Sequence, residues 1–314
     1  MRLKEILAGL TLAVICVVAV ASVYPALDDF WVENPSWNGL SEFYGLVDPV
    51  RVRGIEDLLG IDPVNSTLFI IGPSRGFNEG YIEVLRGYLG DGGRVVLLDD
   101  FGSGNELLEG LSLETRFSGA LLRDGVFFDP RPEFPRLLNF SFYETEEVVF
   151  NYGTVLVPGE AAYVLIRSTP LSYTNTSTDG LETGAFPVVT GVRVGEGLLV
   201  LISDSSIWLN SMIDRGDNRE FLIDFMRGRC LIDVGHSYPT KLLAFKWWLM
   251  DLYSFLNIVE IRYGLALLMV FFVFIIQMNI DEAEERDSIE EVLKMHPDWN
   301  KEQLEWLSEQ QRDH

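Results

Sequence analysis

Cysteine, histidine and lysine are scarce in this 314-residue chain, and each shortage narrows what the chain can be. Its two cysteines, Cys16 and Cys230, lie far apart, and Cys16 sits inside an apolar run, so no disulfide framework is available. The three histidines, His236, His296 and His314, are isolated from one another, and no Cys/His cluster offers a zinc site. Basic residues number 24, mostly arginine, against 47 acidic ones, a net charge of −23. That balance argues against nucleic-acid binding, which needs cations to neutralise phosphates, and against adhesion to anionic headgroups. It suits solubility in a salty or crowded medium. No internal repeat is present.

Apolar residues, in contrast, make up 48% of the chain, and many fall in two runs. Ile6 to Leu27 carries no charge, and about 20 such residues span a hydrocarbon core as a helix. Arg2 and Lys4 precede this run; Asp28, Asp29, Glu33, Glu42 and Asp48 follow it before the next base, Arg51. The positive-inside rule then places the N-terminus in the cytoplasm and the following domain outside. A cleaved signal peptide ending at Ala19-Val20-Ala21 is the rival reading, and it exports the domain equally. Tyr263 to Ile280 is the second uncharged run, long enough for a span. The stretch before it carries Trp247, Trp248 and Tyr253, which predicts an amphipathic juxtamembrane helix over residues 240–262 on the outer leaflet. Three sequons, at Asn65, Asn139 and Asn175, are compatible with glycosylation of an exported domain.

Residues 28–239 between the runs read as an α/β domain. Thr67–Gly72, Arg94–Asp99 and Gly195–Asp204 are short continuous apolar runs of the kind found in buried strands. Phe77–Leu89, Asn105–Leu111 and Asn218–Arg227 follow with helical spacing. Strand and helix alternating in this way predict a doubly wound, flavodoxin-like parallel sheet. Residues 115–195 hold short β-type runs and many turn residues, and read as a β-rich insertion. The strand ending at Gly72 reads as the first of the sheet.

Open parallel sheets bind ligands beyond the carboxyl ends of their strands. The three readable ends place Ser74, Arg75, Asp99, Asp100, Ser103, Asp204 and Ser205 on one rim as candidate ligand-binding residues. Asp99, Asp100 and Asp204 are candidates to hold a hard cation such as Ca²⁺ or Mg²⁺. Gly102-Ser103-Gly104 before a helix is a weak anion-binding pattern, weakened further by the adjacent Asp99 and Asp100. The bland alternative is that these Asp and Ser residues cap helices and close turns. Gly72-Pro-Ser-Arg-Gly76 also matches G-x-S-x-G between a strand and a helix, and Asp204 and His236 follow in hydrolase order. No preceding strand supplies the usual oxyanion loop, so a serine hydrolase using Ser74 is the least favoured reading.

Leu68-Phe-Ile-Ile-Gly-Pro73, the run Leu89 to Asn105 with its Asp-Asp-Phe-Gly-Ser-Gly-Asn loop, Gly197 to Asn210 and Asp217-Asn218 stand in an order that resembles the domain-of-unknown-function 4350 family. The resemblance covers about residues 34–228. It implies a membrane-anchored protein whose domain is similar to class I glutamine amidotransferases and to the auxiliary subunit of gliding-type ABC transporters. Catalytic members of that fold carry a cysteine at a strand-to-helix elbow and a later histidine; here no cysteine follows a sheet strand. The resemblance therefore implies the fold without the activity and without a cofactor. It also implies neighbours such as MoxR-type ATPases, which makes a cytoplasmic ATPase of that type a candidate partner, beside the bilayer and other membrane-complex subunits.

Residues 281–314 hold 12 acidic and 4 basic residues and read as an acidic cytoplasmic tail. Pro297 is placed to open a short helix carrying Leu304, Trp306 and Leu307, of the kind that docks in a partner's groove. Together these features predict a non-catalytic, extracytoplasmic sensing or scaffold subunit of a membrane complex. A transporter accessory subunit binding a solute or cation at the rim is the alternative.

Overall fold

Alternation of side chains along buried strands decides how this domain packs. The computed structural model describes residues 3–138, 145–176, 180–304 and Trp306, and divides into two units, Met1–Ala244 and Phe245–His314. In the first unit, seven strands form one sheet: β1 (Val50–Val52), β2 (Ser66–Ile71), β3 (Arg94–Leu98), β4 (Ala162–Arg167), β5 (Pro187–Val194), β6 (Gly197–Ile202) and β7 (Arg229–Asp233). Their spatial order is β1-β7-β2-β3-β6-β5-β4. Residues i and i+2 of a strand share a face. Leu68 and Ile70, Val95 and Leu97, and Leu199 and Leu201 thus point to one face, where α3 (Ile55–Leu58), α4 (Glu79–Gly90) and α5 (Gly104–Gly110) cover them. Phe69 points the other way, against Phe43 of α2 (Ser41–Val47) and Trp208, with ring centroids 5.6 Å from each. Phe221 and Phe225 of α6 (Asn218–Phe225) extend this aromatic cluster. The sheet is covered on both faces, as its continuous apolar strands require.

Local chemistry sets the element ends. The Asn78 side chain accepts the N–H of Tyr81 and caps α4, whose buried face runs Tyr81, Leu85, Tyr88, Leu89. Gly195-Glu196 joins β5 to β6 as a two-residue hairpin turn, with Gly195 at φ +60° and so close to Gly90 that a Cβ would lie 2.6 Å from its Cα.

Three sequence expectations need correction. Five neighbouring strands are parallel, but β5 runs antiparallel to β6, because a two-residue hairpin can only place neighbours antiparallel, and the edge strand β4 pairs antiparallel with β5 in turn. The β-rich insertion is thus partly absorbed into the main sheet; its remaining strands form small separate sheets around residues 116–183. Finally, the strand ending near Gly72 is not the first: β1 precedes it, only three residues long and paired with β7 at the opposite edge.

Two helices are long and apolar enough to cross a membrane by length and composition: the segment Ile6–Val23 within α1 (Leu3–Val23), and Val259–Gln277 at the start of α8 (Val259–Met295). The second segment begins earlier than the expected Tyr263 and includes Glu260 and Arg262. α7 (Lys241–Leu256) takes the place of the expected juxtamembrane helix. Its exposed Trp248, Met250, Leu252, Tyr253 and Phe255 spread over more than half the circumference at about 100° per residue, wider than the single stripe expected. α8 runs unbroken to Met295, so the acidic stretch starts as helix, and Pro297 lies in a turn before the helical residues 301–304. Leu307 lies outside the described residues.

Asn218, at the start of α6, ties the loop after β6 to the segment around Val149. It is fully buried; its Oδ1 accepts the Val149 N–H, and its Nδ2 donates to the carbonyls of Val149, Ile207 and Met212. Trp208 Nε1 donates to the Asn218 carbonyl. Replacing Asn218 by Ala strands a buried N–H and several carbonyls, and should lower unfolding free energy by roughly 2–4 kcal/mol in a denaturant titration.

Candidate functional site

The carboxyl ends of β2, β3, β6 and β7 meet at one edge of the sheet, and the loop Gly72–Arg75 after β2 is their common point. Gly72 has φ +55° and lies against the Phe30 ring. The Pro73 carbonyl accepts the Ser103 N–H (2.8 Å) and Oγ–H (3.0 Å). The same Oγ–H also reaches the Arg75 carbonyl at 2.8 Å. The N–H groups of Ser74 and Arg75 donate to the His236 carbonyl, and Ser74 Oγ accepts the Tyr238 N–H. The Arg75 guanidinium lies 5.7 Å over the Tyr238 ring.

The predicted rim carboxylates are brought together here, but each is engaged with the chain itself. Asp99 Oδ1 accepts the N–H groups of Asp100 and Gly102, and Oδ2 that of Gly104. The two glycines are needed for this approach: a Cβ on Gly104 would lie 2.5 Å from Asp99 Oδ2, and one on Gly102 would lie 2.3 Å from the Pro73 carbonyl oxygen. The N–H groups of the G-x-G pattern therefore face a carboxylate that already belongs to the protein. Asp204 accepts the Asn151 N–H (2.5 Å) and the Ser206 N–H (2.7 Å), and Asp100 accepts the Ser205 hydroxyl (2.9 Å). Burial pushes Asp99 up to about 6, against the pull of its three amide donors. Burial, and then the Asp100 charge, raises Asp204 well above the usual carboxylate range; Asp100 is raised by its own burial. Among the described residues, no group of three His, Cys, Asp or Glu side chains is placed to hold a metal ion.

The hydrolase set Ser74, Asp204 and His236 is not assembled as the chain order suggested. His236 Nδ1 lies 3.0 and 2.9 Å from the two oxygens of Asp233, not of Asp204. The imidazole stacks on Phe77 at 4.1 Å and meets Tyr81 edge-on at 4.3 Å, while the Tyr81 hydroxyl donates to Asp233 at 2.6 Å. The sequence reading missed Asp233; its one local signal is the Asp-x-x-His spacing just after a buried strand. Burial pushes the Cys230 thiol up to about 12, which leaves it un-ionised and a poor nucleophile.

A cavity of about 400 Å³ opens at this edge, lined by Leu27, Asp28, Phe30, Gly72, Ser74, Tyr238 and Thr240, among others. Two of its lining residues join the two ends of the α/β domain: Asp28 accepts the Thr240 N–H and, at 2.9 Å, its hydroxyl. Of the sequons, Asn65 and Asn175 are exposed, and Asn139 lies outside the described residues.

These features define a parallel-rich α/β domain with two candidate membrane helices. The chain belongs to a family described as a domain of unknown function, DUF4350, whose profile matches residues 32–226, more than half of the chain. No curated protein matches it. Among solved structures, the chain is similar to the mmIFT52 N-terminal domain at 17% identity and TM-score 0.42, over 55% of this chain and 78% of that one. It is similar to the cytoplasmic protein STM3548 from Salmonella typhimurium at 11% identity and TM-score 0.28, over 56% and 76% of the two chains. It is also similar to a β-galactosidase from Bacillus circulans sp. alkalophilus at 13% identity and TM-score 0.30, over 50% of this chain and 22% of that one. At such scores no argument rests on these likenesses.

Asp99 carries a pH dependence with a definite sign. Its folded-state pKa of about 6 lies above the ordinary 3.8, so between these values the folded state holds a proton that the unfolded chain has lost. This contribution favours folding most below pH 4 and is lost as pH rises through 6, about 3 kcal/mol at most. Asp99→Asn should flatten stability between pH 4 and 6 in thermal unfolding. It should also destabilise by about 1–3 kcal/mol, since an amide NH₂ then faces an N–H donor.

Proposed function

We propose that this chain is a non-catalytic sensing or scaffold subunit of a membrane complex, anchored by α1 and α8. Its α/β domain lies outside the cytoplasm and its acidic C-terminal region inside. The observation that carries this reading is the state of the rim: Asp99, Asp100, Asp204, Ser103 and Ser205 spend their hydrogen-bonding capacity on closing the chain's own loops. A catalytic site instead holds groups aimed at a reacting atom. The buried, un-ionised Cys230 supports the same reading for a domain of amidotransferase-like or flavodoxin-like layout. Orientation follows from Arg2 and Lys4 before α1 and the carboxylates after it. Family resemblance supplies the proposed cytoplasmic partner of residues 281–314, a MoxR-type ATPase.

The cavity beside Ser74 and Tyr238 favours one second reading, an accessory subunit that binds a solute. Thermal-shift screening of the intact, solubilised chain with metals, sugars and nucleotides separates the two. A silent screen, with co-purifying subunits lost on deleting residues 281–314, is the expected result. A melting shift that Tyr238→Ala abolishes establishes the solute-binding reading instead, and labelling of Ser74 by a serine-reactive probe overturns the non-catalytic one.

A further inference from the structure

We infer that the carboxyl edge of the sheet, where α/β domains of this kind usually expose their ligand site, is held flat against the lipid surface. The inference rests on the membrane anchoring proposed above.

The tether is short. Only four residues, Tyr24 to Leu27, separate Val23, the end of the apolar helix α1, from Asp28, and five extended residue steps reach at most about 18 Å. Asp28 is not free to swing: it is buried and clasps Thr240, the residue before α7. The chain entering the domain from one apolar helix and the chain leaving toward the other are therefore pinned together at the Gly72–Arg75 loop. Phe30 anchors this point by packing on Gly72.

The exposed surface of this edge is suited to an interface of lipid and water. Among the described residues from 24 to 240, four aromatic side chains are more than half exposed: Tyr24, Trp37, Phe101 and Tyr238, at 55–72%. All four lie here. Tyr24 is on the tether, and Trp37 adjoins Asn38, which accepts the Phe30 N–H. Phe101 is in the loop held by Asp99, and Tyr238 donates its N–H to Ser74. The other exposed aromatics of the domain, Phe127, Tyr152 and Tyr163, reach only 38–42%. Amphipathic aromatic rings favour the headgroup region. Charge does not oppose the contact. Asp99, Asp204 and Asp28 are buried, Asp100 is half-buried against the Ser205 hydroxyl, and exposed Arg75, Asp29 and Glu106 leave a small negative balance that headgroups with no net charge do not repel. The cavity at this edge then opens at membrane level rather than into bulk solvent.

Site-specific fluorescence on the full chain in phosphatidylcholine vesicles tests this. In a Cys16→Ala background, with Cys230 buried, an environment-sensitive dye is placed singly at Trp37→Cys, Phe101→Cys and Tyr238→Cys. Asp91→Cys, at the opposite edge before β3, and Leu268→Cys, within α8, are the controls. The expected result is a blue-shifted emission at 37, 101 and 238, with loss of iodide quenching and gain of quenching by headgroup-spin-labelled lipid, while 91 stays open to iodide. Iodide quenching at 37, 101 and 238 equal to that at 91, with 268 still protected, overturns the inference and leaves the anchoring intact. Iodide quenching at 268 as well overturns the anchoring itself.

Discussion

The carbonyls and amides of Gly72–Arg75 hold the carboxyl edge together. This loop leaves β2 near the centre of the parallel part of the sheet, and loops after β3 and β7 hydrogen-bond to it: Ser103 to Pro73, and Ser74 and Arg75 to His236. Buried backbone groups need partners, and the irregular loops that bridge strand ends have no ladder to provide them. Here short polar side chains and neighbouring loops supply those partners. Phe30 closes the same point from the other side, which requires Gly72 to carry no side chain.

The same constraint explains why Asp99 and Asp204 sit buried beside half-buried Asp100 on a chain of net charge −23. A buried carboxylate is costly unless hydrogen-bonded. Asp99 and Asp204 take two or three donors each, yet desolvation still outweighs those donors and raises both above the ordinary range. Asp99 is in effect the anion of its own helix-start loop. The Gly102 and Gly104 amides that would otherwise face a phosphate converge on it. What resembles a ligand rim in the primary structure is largely an internal brace.

Legibility differed sharply between elements. β2, β3 and β6 read directly as strands from their apolar runs, and α4 from the spacing of Tyr81, Leu85 and Tyr88. Those signals are local and periodic. β1 is too short to register, and β7 has only three fully buried apolar residues between Arg229 and Asp233, so both escaped despite Gly228 and Gly235. The antiparallel edge was hidden because β5 alone reads like any buried strand; only the turn at Gly195 sets its direction. Asp99, Asp100, Ser103, Asp204 and Ser205 lie on the one edge that converging strand ends predict, whereas Asp28, Phe30, Asp233, Tyr238 and Thr240, which share that edge, carry no signal of it along the chain. Their employment was not legible: Asp204 meets an amide 53 residues away and Asp28 a threonine 212 residues away.

By itself the sequence determined the alternation of strands and helices, the two apolar segments and the family, because each is written in residue spacing over a few turns or in a contiguous run. Tertiary structure decided the partner of His236, the antiparallel extension of the sheet, the internal engagement of the rim carboxylates and the clasp that pins both ends of the α/β domain to one edge. These depend on which donor reaches which acceptor across tens to hundreds of residues, and a hydrogen bond of that kind leaves no period and no motif along the chain.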